Sequence, residues 1–556
     1  MGTPTFKLTI ELKRVQTFIF EVPRLKAMLG ANALIGQTMR HELPALLDEQ
    51  GSRLDWPAEI GLQSGDDPLD HAATDPDDRD DPAKLYQRGI LARDGGHFIV
   101  LFDDEPAAKR FLEQAEAVLA ERLPGVLYEA RIETFPEPKE RQGQARHPHE
   151  TALLDLPVLQ VCQETGQGPA SARNKKGNWQ GESVRYRLEW GDRFYKGLTQ
   201  DIIGLLRPTL YPDRDMGWQE PDDLAQLAAG GYLALIHADG NGIGKRYKSW
   251  RDRARSTVEV VKEAHGEAFF HSMRVAVRRA VVDALQATFS GPGGVRPYEI
   301  LMLGGDDLLL ACRADRALDF ARAYAEELTR YRLADGQPLT VAIGVAIAQK
   351  TYPLHRLHEL AEELASSAKR LYRALPDDEE SSVIDWQVVT QSWFADVAEA
   401  RRQSERIRYQ VNDQSETLLL TGRPYRVLGP GGLDGLLDAV QELDRKGRQQ
   451  PQGARTGDDT NDEDKAARSP LRALRTACEQ GRLMAEMAFA RLRPETRACL
   501  GWEKDELWKS VSVDHSPVYL NRALDIIGLR EIERLGKRSD QSPAPIGKGV
   551  GVRGET

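Results

Sequence analysis

The sequence predicts an α+β protein with two ferredoxin-like domains followed by an α-helical domain. The chain runs twice through strand, helix, two strands joined at a Gly-Gly turn, helix and strand, at residues 6–135 and 231–348. This β-α-ββ-α-β order is that of a ferredoxin-like antiparallel sheet. Its recurrence indicates an internal duplication. Beyond the second unit, apolar residues at helical spacing in 432–443, 470–492 and 518–535 predict helices.

The first unit opens with an alternating strand from Phe6 to Val15 that leads into a helix, and Ala31–Leu47 is predicted to form a further helix. Gln63–Pro82 is rich in Asp, Pro and Gly and poor in bulky apolar residues, which predicts a flexible insertion. A helix and a strand close the unit, at Ala107–Arg122 and Val126–Phe135.

The Gly-Gly turn of the first unit carries no acidic pair. It is followed by His97 and Phe98, and the opening strand supplies Glu11 beside two basic residues. Since divalent cations are held by several oxygen ligands, this unit is not expected to bind two metal ions. We interpret it as a structural or regulatory copy, with Asp94 and Glu11 as candidates for some other polar role.

Residues 141–225 are interpreted as a linker module between the two units. Pro136–His149 is polar and contains proline. Basic and aromatic residues alternate in Arg173–Lys196. That alternation occurs in surfaces that contact RNA or nucleotides, and more often in a solvated amphipathic face. Both interpretations stay open.

The second unit opens with an apolar strand that ends in Asp239, followed by a glycine-rich loop containing Asn241. Apolar residues at helical spacing then predict a long helix at Thr257–Thr288. The remaining elements are a hairpin, a helix, a strand and a helix, at 298–312, 317–331, 339–348 and 357–371.

The hairpin at 298–312 turns at Gly304, Gly305, Asp306 and Asp307. Apolar runs bounded by glycines predict two buried strands joined by a tight turn. Because glycine tolerates positive φ, we predict that the two glycines let the chain reverse and let a ligand approach the backbone. By itself the motif is equally typical of an acidic surface turn.

The opening strand of the second unit favours a ligand-binding turn over an acidic surface turn. It would lie beside the hairpin, so Asp239 is expected to face Asp306 and Asp307. Three converging carboxylates repel one another unless cations lie between them. Oxygen-only ligands suit Mg²⁺ or Mn²⁺. The pattern therefore favours two-metal nucleotidyl transfer, in which one ion activates a 3′-hydroxyl and the other holds a triphosphate.

Length and composition exclude several classes of protein. A chain of 556 residues predicts three or four domains, and its net charge of -11 argues against a free-standing nucleic-acid binder. The four cysteines are far apart and form no CxxC pair, so neither a disulfide framework nor a zinc ribbon is expected, and a reducing cytoplasm is the expected compartment. No signal peptide and no run long enough to span a membrane is predicted.

Residues 449–465 are charged and rich in Gly and Gln, which predicts a segment that does not fold. The predicted organisation is a degenerate first domain, a linker module, a catalytic domain, a mainly helical C-terminal domain and a disordered tail, at 1–140, 141–225, 226–395, 396–536 and 537–556.

These features resemble one family, the large polymerase/cyclase subunit of type III CRISPR effector complexes, in which each ferredoxin-like unit is a palm domain. Two palms with the Gly-Gly-Asp-Asp turn only in the second are the main likeness. The motifs that carry the resemblance are Val15–Phe20, Cys162–Gly166, Pro169–Ser171, Asp239–Gly244, Gly304–Asp307, Ala368–Lys369 and Gly422–Tyr425.

The resemblance implies an activity, cofactors and partners. In that family, target RNA bound by the assembled complex switches on conversion of ATP into cyclic oligoadenylates. The resemblance implies Asp239, Asp306 and Asp307 as ligands of two Mg²⁺ or Mn²⁺ ions, with Gly304 and Gly305 beside the nucleotide. The implied partners are backbone and small helical type III subunits, CRISPR RNA and target RNA.

Two further residues match the family's nucleotide site. Asn241 is expected to bond the ribose or the base, although an asparagine here also suits a cap for the next helix. Lys369 resembles the lysine that meets the triphosphate, with a solvated helix lysine as the alternative.

The sequence departs from the family in two places. Many relatives begin with a histidine-aspartate nuclease domain, whereas here the first palm starts at residue 6, so no DNA cleavage is expected. His355 and His358 are interpreted as surface residues of a helix. Relatives often carry a zinc module between the palms, but Cys162 has no neighbouring cysteine, so no zinc is expected.

Three alternatives remain open. A diguanylate cyclase normally closes its turn with Glu or Asp and then Phe, whereas Leu308 follows Asp307 here. The second alternative is a related cyclase that transfers AMP to an acceptor such as S-adenosylmethionine. The third alternative is a non-catalytic scaffold that binds guide and target RNA.

Overall fold

The computed structural model describes most of the chain, and the first palm's sheet, the second palm and much of the C-terminal region are within it. The described residues are 4–47, 50–62, 67–75, 78–136, 160–166, 168–254, 258–376, 379–389, 399, 401–402, 405–411, 414–448, 462–502, 506–513 and 516–539. The predicted linker 136–149 and the predicted unfolded segment and tail lie mostly outside these ranges.

The described residues form sixteen strands and a larger number of helices. The strands are β1 Phe6–Lys13, β2 Ile90–Ala92, β3 His97–Phe102, β4 Leu127–Thr134, β5 Ala170–Arg173, β6 Trp179–Gly181, β7 Tyr232–Gly240, β8 Tyr298–Leu303, β9 Leu308–Arg313, β10 Val341–Gln349, β11 Val383–Val389, β12 Arg406–Val411, β13 Gln414–Leu419, β14 Tyr425–Arg426, β15 Trp508–Val513 and β16 Ser516–Asn521.

The helices up to the end of the second palm take their labels in chain order. They are α1 Val15–Phe20, α2 Leu25–Gln37, α3 Leu43–Leu47, α4 Pro68–Ala72, α5 Pro82–Gln87, α6 Glu105–Arg122, α7 Glu182–Tyr195, α8 Ile202–Leu205, α9 Arg207–Leu210, α10 Asp213–Met216, α11 Ile243–Asp252, α12 Glu259–Thr288, α13 Ala317–Leu328 and α14 Leu354–Ala374. The C-terminal helices are Leu433–Arg448, Asp462–Gln480, Arg482–Ala490, Pro494–Leu500 and Ala523–Ser539.

Both repeats fold as ferredoxin-like sheets, which confirms the predicted fold class and the duplication. The first sheet has the order β2-β3-β1-β4. The second contains the same arrangement as β10-β7-β9-β8, extended beyond β10 by β11 and β14. In each case the opening strand lies between the hairpin and the closing strand, so its end and the hairpin turn meet at one edge of the sheet.

The core of the second palm forms because helices α12, α13 and α14 cover an apolar sheet. Its strands are almost continuously buried, from Leu233 to Ala238 and from Val341 to Ala348. Helix α14 approaches the sheet closely at Gly344, where an added Cβ would overlap the carbonyl oxygen of Ala361. A glycine in this strand is therefore required by packing, not by backbone angles.

We expect Gly344→Ala to lower the free energy of unfolding by about 1–3 kcal/mol, because α14 must move away from the sheet. Gly528→Ala is the matched control, since Gly528 lies inside the Ala523–Ser539 helix and an added Cβ meets nothing within 4 Å. That substitution is expected to raise the free energy of unfolding by up to about 1 kcal/mol. Urea denaturation measures both, and equal effects of the two variants would contradict this packing.

The predicted flexible insertion is wrong where the structure describes it, over 67–75 and 78–82. Asp67 and Asp80 are buried there, and the arginines of α12 hold them: Arg278 donates to Asp67 at 2.6 Å and to Asp80 at 3.0 Å, and Arg274 donates to Asp80 at 2.7 Å. Burial by itself would raise the pKa of Asp80, but the two guanidinium groups hold it well below its usual value. The acidic composition that suggested disorder is neutralised by distant arginines, which local composition does not reveal.

The C-terminal region contains the predicted helices together with a sheet that the sequence analysis did not predict. Its strand order is β12-β13-β16-β15. The predicted helix at 518–535 is divided, since Ser516–Asn521 is strand β16 and Ala523–Ser539 is helix. These strands are short and carry Arg, Ser and Thr, so hydrophobic periodicity gave no strong signal for them. Among the described residues, no helix combines the length and apolar character needed to cross a bilayer.

Candidate active site

The three predicted carboxylates meet at the edge of the second palm sheet. Ala238 on β7 pairs with Leu308 on β9, so Asp239 comes next to the turn that carries Asp306 and Asp307. Each of the three offers a carboxylate oxygen, and these oxygens lie within 4.8 Å of one another. The arrangement of the trio that the sequence predicted is therefore present in the fold.

The backbone around the trio lets the carboxylates come this close. An added Cβ at Gly240 would lie 2.8 Å from both the Cβ and Oδ2 of Asp306 and 2.8 Å from Cγ1 of Ile243. The backbone N–H of Gly240 also donates to the Asp306 carboxylate. Gly240 is a site residue that the sequence analysis did not single out, although it follows Asp239 directly.

The two glycines of the hairpin turn do not have the backbone angles that were predicted. Neither Gly304 nor Gly305 has positive φ, so the prediction that left-handed backbone reverses the chain is wrong. The turn closes because the N–H of Gly304 donates to the carbonyl oxygen of Asp307 at 2.8 Å. An added Cβ at Gly305 would lie 3.3 Å from Cε of Met273 on α12, so glycine there keeps the turn close to that helix.

Burial and neighbouring negative charge act together on the two carboxylates of the turn. Burial, followed by the charges of Asp306 and Asp239, raises the pKa of Asp307 to about 7. Burial and then the charge of Asp239 raise the pKa of Asp306. Buried like charges of this kind are relieved by protonation or by a bound cation. The donor set, oxygen atoms only, fits Mg²⁺ or Mn²⁺.

Lys369 on α14 forms an ion pair with Asp239. Its side chain is about a quarter exposed, with 25% of its surface accessible, so the ammonium group lies at the rim of the trio and not in the core. The solvated-lysine alternative is thereby wrong, since Lys369 joins the predicted site. A single lysine offsets one of three carboxylate charges.

Asn241 lies inside the protein, with 1% of its surface exposed. Its Nδ2 donates to Oγ1 of Thr340 at 3.3 Å, and its Oδ1 makes no hydrogen bond with any described residue. The next helix, α11, is capped by Gly242 without a side-chain hydrogen bond, so the helix-cap alternative for Asn241 is wrong. In this structure Asn241 ties the loop after β7 to the start of β10.

The burial of two aromatic side chains in the second palm was missed by sequence reasoning. The hydroxyl of Tyr324 on α13 is buried and makes no hydrogen bond with a described residue, and burial, followed by the charges of Asp306 and Asp307, raises its pKa. His358 on α14 is buried, which corrects its prediction as a surface residue, whereas His355 is exposed as predicted. The ring of His358 packs at a tilt against Phe20 of the first palm, with ring centroids 4.4 Å apart. Helical spacing alone does not reveal a neighbour from another domain.

The matching edge of the first palm is built differently. Glu11 pairs in register with His97, and Lys13 forms ion pairs with Glu11 at 2.5 Å and Glu129 at 3.2 Å. Asp94 accepts a hydrogen bond from Arg40 at 2.8 Å, so its polar role is to hold that arginine. Each acidic residue at this edge therefore has a basic partner.

A second group of possible metal ligands, Asp67, Asp80 and His271, lies between the palms. Both carboxylates are already held by Arg274 and Arg278. Two buried guanidinium groups at this distance would repel a cation. We therefore assign this group to holding the palms together.

The alternation in Arg173–Lys196 is explained partly by packing. Arg187 and Trp190 on α7 are buried, and Arg187 donates to Glu21 at 2.6 Å. Lys175 and Lys176 are exposed in the turn before β6. Cys162 is buried against Val22, Ala27 and Val184 in a small apolar cluster.

Residues 232–374, from the start of β7 to the end of α14, match the family model described as Cas10/Cmr2, second palm domain. No curated protein sequence matches the chain. Among solved structures, a Csm1-Csm4 cassette in complex with AMPPNP is similar at 13% identity and a TM-score of 0.48, covering 96% of this chain and 70% of that one. Csm1 of T.onnurineus is similar at 14% identity and a TM-score of 0.46, with the same coverage of both chains.

Proposed function

We infer that this chain is a Cas10-like protein of the type III CRISPR class, since its residues 232–374 match the second palm domain of the Cas10/Cmr2 family. From this premise we propose that it makes cyclic oligoadenylates from ATP when its complex binds target RNA. The observation that supports this activity is the trio of carboxylates at the turn of the second palm, with oxygens within 4.8 Å of one another. A scaffold would not need this costly cluster of like charges.

In the proposed reaction, Asp239, Asp306 and Asp307 hold two Mg²⁺ or Mn²⁺ ions. The ions supply charge neutralisation and a more acidic 3′-hydroxyl when bound. The 3′-hydroxyl of one adenylate loses its proton to solvent, its oxygen forms a bond to the α-phosphorus of the next, and pyrophosphate leaves with the electron pair of the broken bond. Ring closure repeats this exchange within one linear product. The residues of this chain contribute position and charge, since phosphoryl transfer needs little covalent chemistry from the protein.

The neighbouring residues receive supporting roles in the proposal. Gly304 and Gly305 carry no side chains, so that the nucleotide lies directly against their backbone. Lys369 leaves Asp239 and pairs with the triphosphate once cations neutralise the trio. For Asn241 the proposed contact with the nucleotide is through its unpaired Oδ1, which must become accessible on binding.

Lys369→Met tests the proposed contact with the triphosphate. We expect the KM for ATP to rise about ten- to hundredfold, the range of one charge-assisted contact, with a smaller change in kcat. Arg370→Met is the matched control, because Arg370 is the next residue on α14 and is exposed. Steady-state kinetics checks both. A fall in kcat with unchanged KM would contradict the assigned role.

The proposed partners are the other subunits of a type III effector complex, CRISPR RNA and target RNA. The assembly matters for the test, because activation is proposed to depend on RNA bound by the whole complex. Labelled ATP is incubated with Mn²⁺ and the complex, with and without cognate RNA, and the products are separated by chromatography.

We expect RNA-dependent cyclic oligoadenylates from ATP alone. A product that needs S-adenosylmethionine, or a guanylate product from GTP, would replace the proposed substrate while keeping the site. No nucleotide product under any of these conditions would favour the scaffold alternative.

A further inference from the structure

The alternating basic and aromatic residues of Arg173–Lys196 are divided by the structure between two elements. In helix α7, Arg187 and the ring of Trp190 are buried, so packing explains them. Before α7, strands β5 and β6 form a two-stranded hairpin of their own, and its basic residues are exposed: Arg173, Lys175 and Lys176. The packing of α7 does not account for this second group.

Hydrogen bonds order the tip of the hairpin. The side-chain Oδ1 of Asn174 accepts from the backbone N–H groups of Lys176 and Asn178, at 2.9 Å each. The backbone N–H of Gly177 donates to the carbonyl oxygen of Asn174, also at 2.9 Å. An asparagine that bonds the backbone in this way is typical of a defined turn. The two neighbouring lysines are therefore presented to solvent from a fixed position.

The guanidinium group of Arg173 is held against an indole ring. Arg173 on β5 pairs in register with Trp179 on β6, and its guanidinium carbon lies 4.4 Å from the centroid of the Trp179 ring. A guanidinium group that stacks on a ring keeps its N–H groups free at its edge, where they can donate two parallel hydrogen bonds to a phosphate.

The exposed charge of this hairpin is entirely positive. Residues 168–181 contain no acidic residue, whereas the whole chain has a net charge of -11. Among the residues that the structure describes, no acidic side chain forms an ion pair with Arg173, Lys175 or Lys176. The hairpin is thus a local concentration of positive charge on an acidic protein.

The acidic residue beside the hairpin is already occupied. The side chain of Glu164 is 7% exposed, it pairs with Arg24 at 3.1 Å, and it accepts from Nε2 of Gln180 at 2.7 Å. Because Arg24 belongs to the first palm, this pairing also fixes the base of the hairpin to that domain. The carboxylate therefore does not neutralise the lysines at the tip.

The composition of this surface matches single-stranded RNA. Lysine meets phosphates as a point charge, and arginine can bond them in bidentate geometry. The ring of Trp179 is partly exposed, and a base can stack on an accessible aromatic ring. An acidic protein segment would match the charge but would give the indole no planar partner.

We propose that the β5–β6 hairpin contacts single-stranded RNA, with Arg173, Lys175 and Lys176 on its phosphates. The inference rests on the proposed function in one respect, since RNA is there a partner of the complex. It does not involve the chemistry of the second palm.

Lys175→Gln combined with Lys176→Gln tests this contact in the full chain, in EDTA and without ATP. Fluorescence anisotropy measures the affinity for a labelled single-stranded RNA between about 50 and 200 mM salt. Each phosphate contact to a single strand contributes about 0.7 to the slope of log affinity against log salt, so we expect the slope to be smaller by about 1.4. Over this range the wild-type chain should lose about sevenfold more affinity than the variant.

The control variant changes the total charge by the same amount at two other exposed lysines. Lys109→Gln and Lys446→Gln are combined, because Lys109 is paired with Glu105 at 2.8 Å and Lys446 with Glu442 at 3.0 Å. This variant is expected to keep the wild-type slope. Arg173→Gln alone should lower the slope by about 0.7. In the assembled complex, RNA that carries a thiouridine is expected to crosslink to peptides from 168–181.

Three results would overturn the proposal. They are equal salt slopes for the hairpin and control variants, no binding of RNA by the wild-type chain at about 50 mM salt, and equal competition by polyglutamate of matched charge. The last would assign the surface to an acidic protein. If the hairpin variant loses RNA affinity while the complex makes no nucleotide product, the proposed function fails and this inference stands. An active complex whose hairpin variant keeps the wild-type slope has the reverse meaning.

Discussion

Replacing Asp306 and Asp307 together by asparagine is expected to reduce nucleotide product by at least about 10³-fold, because several kcal/mol of metal-derived stabilisation of the transition state is lost. Asparagine keeps the size of the side chain, and both residues lie at the edge of the sheet, so the fold is expected to remain. Product chromatography of the assembled complex measures the loss.

Without metal, the same double substitution is expected to stabilise the fold. The folded pKa of Asp307 is raised to about 7, whereas an unfolded aspartate titrates near 4. A raised carboxyl pKa stabilises the fold below the unfolded value, and this stability is lost as pH rises through the folded value. In EDTA, the melting temperature of the wild-type chain is therefore expected to fall between about pH 4 and pH 7 more than that of the variant.

Addition of Mn²⁺ should raise the melting temperature of the wild-type chain and leave the variant unchanged. Glu11→Gln, at the matching edge of the first palm, is the control and is expected to keep both activity and the response to Mn²⁺. Unchanged activity in the double variant would contradict a metal-binding role for the turn.

Gly240→Ala is expected to reduce activity by about 10²-fold, the loss that follows when a misplacement of about 1 Å disturbs reacting groups. The added methyl group would lie 2.8 Å from the Asp306 carboxylate and its Cβ, so we expect the aspartate to shift from its position in the trio. Nothing else in the trio is altered chemically, which makes this a test of geometry alone.

The control for this substitution is four residues away. Gly244→Ala adds the same methyl group in the first turn of α11, where it meets nothing within 4 Å. It is expected to retain activity. Similar losses in the two variants would show that the loop after β7 is sensitive for reasons other than the position of Asp306.

The two palms and the meeting of the trio were predictable because they depend on strong local signals. Continuous apolar strands, a 30-residue helix and a Gly-Gly-Asp-Asp turn fix the order of elements, and the ferredoxin-like order brings the opening strand beside the hairpin. Once that order is known, the proximity of Asp239 to Asp306 follows without any side-chain detail.

The features that sequence reasoning missed depend on contacts between distant segments. The acidic insertion is ordered because Asp67 and Asp80 meet arginines about two hundred positions later in the chain, as the separations of 211 and 198 residues for the Arg278 contacts illustrate. His358 is buried by a phenylalanine of the first palm. No local pattern contains these partners, so propensity and composition gave the wrong answer.

The turn glycines illustrate a different limit. Gly304 and Gly305 were predicted to be needed for left-handed backbone, and instead the requirement for space falls on Gly240 and, beside Met273, on Gly305. Which glycine is constrained by angle and which by space depends on neighbours across the sheet. The sequence identifies the cluster of glycines, but it does not show which of them is constrained by backbone angle and which by space.

The most direct test of the central claim is anomalous diffraction from crystals of the chain grown with Mn²⁺ and a non-hydrolysable ATP analogue. We expect two manganese peaks between Asp239, Asp306 and Asp307, with the triphosphate beside them and Lys369 released from Asp239. Crystals that hold the nucleotide elsewhere, with no manganese at the turn and Asp239 directed away from it, would contradict the account.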